Sequence, residues 1–81
     1  MTNIYNFNMD NEVKRQIKVL LAQENIKAIE LIKSLNEKFS SSYSSSSFSH
    51  KLKNGTITYK EMLNIANILG YEIIFKKKDN F

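Results

Sequence analysis

Apolar residues recur at helical spacing through most of this chain, and that periodicity restricts it to helices sharing one core. Val13, Ile17, Leu20 and Leu21 fall at i, i+4, i+7 and i+8, while Lys14, Arg15 and Lys18 lie largely elsewhere. This first helix is expected to begin at Asp10 or Asn11, and Asn25 interrupts it. A second stripe follows, in which Ala28, Leu31, Ile32, Leu35 and Phe39 repeat at the same spacing. Thr58 and Glu61 then form a capping box, the hydroxyl and the carboxylate each satisfying a free amide of a first turn, and Met62, Leu63, Ala66 and Leu69 continue from it. Gly70 stops that helix, as glycine does just beyond a helical end.

A chain of 81 residues has room for one domain with a modest core. Cysteine and proline are absent and His50 is the only histidine, which sets aside disulfides, thiolate chemistry and the usual zinc spacings. Neither a metal nor another cofactor is expected. The apolar stretches at 19–22 and 73–75 are far short of the roughly 20 residues that cross a bilayer, and 1–10 lacks the basic start and apolar middle of a signal peptide. The expectation is a cytoplasmic protein with no membrane partner. Twelve Lys and Arg against 8 Asp and Glu leave a net charge of +4, which suits a polyanionic partner and equally suits plain solubility. Arg15 is the only arginine among many Lys, Asn and Ile, a bias that reads as AT-rich coding and removes the preferred side chain for bidentate guanine contacts.

Beyond Gly70 the pattern changes period. Tyr71, Ile73 and Phe75 alternate with Glu72, Ile74 and Lys76, the signature of a short strand. A lone strand cannot satisfy its own backbone, so it must pair with 4–7 near the N-terminus or with its own copy across a two-fold axis. The second arrangement is favoured, and it makes Tyr71, Ile73, Ile74 and Phe75 the expected dimerisation residues. The Asn-rich stretch 1–9 reads as a flexible tail, 10–70 as the domain, and 71–81 as a strand with a basic end.

The segment 40–54 admits two readings. Between Ser40 and Ser49 every residue except Tyr43 and Phe48 is serine, the composition of a flexible linker. Against that, Phe48 and Leu52 lie one helical turn apart, Ser44 or Ser45 can cap, and Gly55 can stop a helix ending at Lys53 or Asn54. Wound with Phe48 and Leu52 inward, this third helix turns Ser46, His50, Lys53 and Asn54 outward, with Ser47, Ser49 and Lys51 on its flanks. None of these groups is acidic, so the face can approach a phosphate-lined groove without repulsion.

Two segments, Phe48-Ser-His-Lys-Leu-Lys-Asn-Gly55 and Ile65-Ala-Asn-Ile-Leu-Gly70, in this order behind a second helix and a turn, give the span from Val13 to Tyr71 its likeness. It resembles the Cro and phage-repressor type of helix-turn-helix domain. The resemblance implies a mainly α bundle of four or five helices, a homodimer on palindromic operators, regulation of transcription, and in some members a dimer made by a C-terminal strand. It also implies a phage or mobile-element setting and repressor action. Two features depart from the family pattern. Lys27-Ala28 stands where a Thr or Ser cap followed by Gln is common, which moves the phosphate clamp to Lys27 itself, and the connection into the third helix is several residues longer.

The mechanism this implies is insertion of helix three in the major groove of duplex DNA. Ser46, Ser47, His50 and Asn54 are the candidates for bases, and Lys27, Lys51, Lys53, Thr56 and Lys60 for phosphates. Serine hydroxyls both donate and accept, so each subunit is expected to discriminate modestly and to rely on dimer spacing and DNA shape. Blander roles fit the same residues: His50 as a surface side chain, 76–78 as a solvated end, and Tyr43, Phe48, Tyr59 and Tyr71 as packing groups. No enzyme is expected, because Ser46 and His50 at i and i+4 have no third member and no oxyanion-binding loop. No small-molecule substrate is evident. The rival reading is a helix-turn-helix scaffold that has lost DNA binding and become a protein-binding module, using its serine-rich face or its strand to hold a partner protein.

Overall fold

The computed structural model describes residues 9–78, with the side chains of 9–11 left aside. Among these residues four helices form: α1 (Met9–Glu24), α2 (Ala28–Phe39), α3 (Ser45–Asn54) and α4 (Tyr59–Leu69). The expected flexible tail at 1–9 and the pairing partner at 4–7 lie outside the described residues, except that Met9 already belongs to α1.

Each junction has a local cause. Asn25 takes a left-handed conformation (φ 55°), and its N–H reaches the Ala22 carbonyl at 3.1 Å while the Ile26 N–H reaches Leu21 at 2.9 Å. These two bonds make a Schellman cap with asparagine in the glycine position. Gly55 (φ 67°) and Gly70 (φ 85°) end α3 and α4 in the same way, with the Thr56 and Tyr71 amides bonded back to Lys51 and Ala66 at 3.0 and 2.8 Å. At these two positions a Cβ would be strained by the positive φ. Helix starts are equally local. Ser44 caps α3 and Thr58 caps α4, accepting from the Ser47 and Glu61 amides at 3.1 Å each.

The core is one cluster drawn from all four helices: Ile17 and Leu21, Leu31, Ile32 and Leu35, Phe48 and Leu52, Ile65 and Leu69. Packing is closest between α1 and α3 and between α2 and α4. The stripes are therefore inward faces, with two adjustments. Ala28 is exposed at the first turn of α2, and on α4 Ile65 is buried while Leu63 is 41% exposed. Both sit at the margin of a stripe, where periodicity alone does not decide which neighbour faces in.

The expected C-terminal strand is not seen: 71–78 contains no strand among the described residues. Its side chains alternate only as far as Ile74, with Tyr71 and Ile73 half-buried and Glu72 and Ile74 exposed; Phe75, next on the Tyr71 side, is exposed as well. Their support is helical rather than a sheet. Ile73 lines a groove with Phe39, Leu63 and Asn64, and Phe75 stacks on Tyr59, with ring centroids 6.1 Å apart. Alternation reports which side is covered and leaves the backbone partner unspecified.

Candidate nucleic-acid interface

The connection 40–44, a linker by composition, is held at three points. Asn36, half-buried on α2, uses both ends of its amide on one residue. Its Nδ2 donates to the Tyr43 carbonyl at 3.0 Å and its Oδ1 accepts from the Tyr43 N–H at 2.9 Å. The Tyr43 ring packs edge-on against Phe48, with centroids 5.3 Å apart and planes at 72°. Its hydroxyl donates to the Glu61 carboxylate. Ser40 absorbs the turn in a left-handed conformation (φ 56°). The connection is thus a fixed loop.

Glu61 is the hub of this arrangement. One carboxylate oxygen accepts from the Thr58 amide at 2.8 Å and completes the α4 cap; the other receives the Tyr43 hydroxyl and lies 3.4 Å from the Lys51 ammonium. Burial pushes this carboxyl up, but the Thr58 amide, the Tyr43 hydroxyl and the Lys51 charge together hold it below the ordinary carboxylate value. Tyr43 moves the opposite way. Burial first, and then the hydrogen bond to Glu61 and its negative charge, push the phenol up to about 12.

On α3 the outward face is as expected: Ser46, His50 and Lys53 line one shallow open depression with Ser45 and Ser49. Asn54 is exposed at the helix end. The remaining candidates are placed less favourably or elsewhere. The Ser47 hydroxyl accepts from the Ser44 N–H at 2.9 Å and contacts the Ser44 carbonyl at 3.2 Å, so it is engaged in the cap. Lys51 is half-buried toward Glu61. Lys27, Thr56 and Lys60 are exposed on three other elements: the start of α2, the connection 55–58 and the first turn of α4. At the start of α2 the Lys27 amide donates to the Glu30 carboxylate at 2.9 Å. An anion therefore already occupies the end of the helix dipole where a phosphate would sit.

Asn36, Tyr43 and Glu61 were not singled out as a unit by sequence reasoning. Glu61 was visible only as a cap, and nothing in the local pattern tied it to a tyrosine eighteen positions earlier. No protein-family model, curated protein or solved structure matches this chain. Among the described residues no helix is long and apolar enough to cross a membrane.

Proposed function

We propose that this chain is a sequence-specific duplex-DNA-binding regulator of transcription, a repressor acting as a dimer, that inserts α3 into the major groove. The observation that carries the reading is the outward face of α3, where Ser46, Ser49, His50 and Lys53 line one depression without a carboxylate among them. Hydroxyl, imidazole and ammonium groups are what base edges and phosphates accept. The caps and the Asn36 and Tyr43 contacts support it further, because a reading helix has to be held rigidly against its neighbours. Dimerisation is assigned to the backbone of 71–75, with Tyr71, Ile73, Ile74 and Phe75 of two copies side by side.

A second reading has its own support. Ile74 is 75% and Phe75 83% exposed, apolar surface that a protein partner would cover. Fluorescence anisotropy on random and self-upstream duplexes at two salt concentrations separates the two, using wild type and a His50→Ala, Lys53→Ala variant. Salt-sensitive binding that collapses in the variant is expected. No binding at low salt would shift the assignment to the protein-binding module, and equal binding by both proteins would take the DNA contact off α3. Sedimentation of a chain ending at Gly70 tests the dimer: an unchanged mass would remove the strand pairing.

A further inference from the structure

The segment after α4 doubles back along that helix. Near its start the Tyr71 hydroxyl reaches Glu24 at 2.7 Å and Gln23 at 3.1 Å, both at the end of α1. Farther on, the Phe75 ring stacks on Tyr59, with planes 22° apart. Tyr59 is the first residue of α4, so the segment returns from the last turn of that helix to its first. Lys76, Lys77 and Lys78 follow. All three are exposed, and none forms an ion pair with a described residue. Three residues reach at most about 10 Å. The basic run therefore stays at the end of the molecule where α4 begins, one short connection from the end of α3.

We propose that this strap delivers Lys76, Lys77 and Lys78 as a second phosphate-contacting site for duplex DNA, flanking α3, with Tyr59 as the residue that positions it. The inference rests on the DNA-binding reading of α3. Two observations carry it. On α3 itself Lys51 is drawn toward Glu61, which leaves Lys53 as the lysine of that helix without a carboxylate partner among the described residues and gives the helix little hold on a polyanion. The tail, meanwhile, is directed to that end of the molecule by the contact of Phe75 with Tyr59, both exposed rings, so part of the ordering entropy of the strap is met on folding. An untethered basic end would have to lose that freedom on the DNA.

The salt dependence of duplex binding by the full chain tests the proposal. Replacing Lys76, Lys77 and Lys78 together by Ala is expected to flatten the slope of log K against log salt by about 3 per bound subunit, roughly one per lysine. Tyr59→Ala, which removes no charge, is expected to weaken binding severalfold at low salt, whereas Tyr59→Phe keeps the stacking face and binds as wild type. Circular dichroism and sedimentation check that the variants retain their helices and mass. If the triple variant keeps the wild-type slope while Lys53→Ala flattens it, the strap proposal falls and the α3 reading stands. If wild type binds no duplex at low salt, both fall. Binding to vesicles of anionic phospholipid that the triple variant loses, with its DNA slope unchanged, would assign the tail to a membrane surface and overturn the proposal.

Discussion

Residues 40–54 and 71–78 were the two ambiguous stretches of this chain, and they resolved in opposite directions. The serine run, whose composition is that of a linker, holds a capped helix and a loop clamped by Asn36 and Tyr43. The apolar alternating run, whose pattern is that of a strand, forms no strand among the described residues. A helix closes its own backbone hydrogen bonds, so a cap, a stop and two inward anchors suffice to set it among poor helix formers. A strand has no such internal closure. With no pairing partner among the described residues, 71–78 forms no strand and lies against α4.

That contrast can be broken first at Phe48, which is 1% exposed and joins the serine helix to the core. Phe48→Ala is expected to cost about 3 to 5 kcal/mol and Leu52→Ala about 2 to 5 kcal/mol, read by urea unfolding. Melting curves that match wild type would mean the segment is a linker after all. Next in size is Asn36→Ala, which strands the Tyr43 N–H and carbonyl; about 1 to 3 kcal/mol and faster amide exchange across 40–44 are expected. Unchanged exchange there would show that the amide clasp does not hold the loop. Ser44→Ala removes the α3 cap at a cost of about 1 kcal/mol, and Gly at the same position should cost less.

The pH limbs are smaller because the groups involved are only partly buried. The folded-state pKa of Glu61 is lowered, so its contribution is present above the ordinary carboxylate value of 4.5 and is lost as pH falls through the folded value. That of Tyr43 is raised, so its contribution is present below about pH 10 and is lost as pH climbs toward about 12. Glu61→Gln should flatten the acidic limb, and Tyr43→Phe, which keeps the edge-on contact with Phe48, should flatten the alkaline one. A stability profile against pH that the two variants leave unaltered would remove Glu61 from its place as hub. The smallest effect sharpens the other side of the comparison: Ile74→Ala should change monomer stability by less than about 0.5 kcal/mol, since most of that side chain is already in water. A large loss there would mean that 71–78 is held far more firmly than its contacts indicate.

Much of the fold was legible because its causes are local. Asn25, Ser44, Gly55, Thr58 and Gly70 each act within about one helical turn, and they end or begin helices where their chemistry requires. The outward face of α3 was legible for the same reason: once Phe48 and Leu52 are inward, helical geometry sends Ser46, His50 and Lys53 out. The engagement of Ser47 in a cap was not, because a serine near a helix start offers its hydroxyl equally well to solvent.

The sequence by itself determined four helices, their caps and the faces they bury, since helical hydrogen bonds and side-chain periodicity run between near neighbours. Only the tertiary structure decided that Glu61, the cap of α4, also gathers Tyr43 and Lys51, and that the last residues return along α4 to stack Phe75 on Tyr59. Those contacts join residues far apart in the chain. Their energies depend on distances that no local pattern encodes.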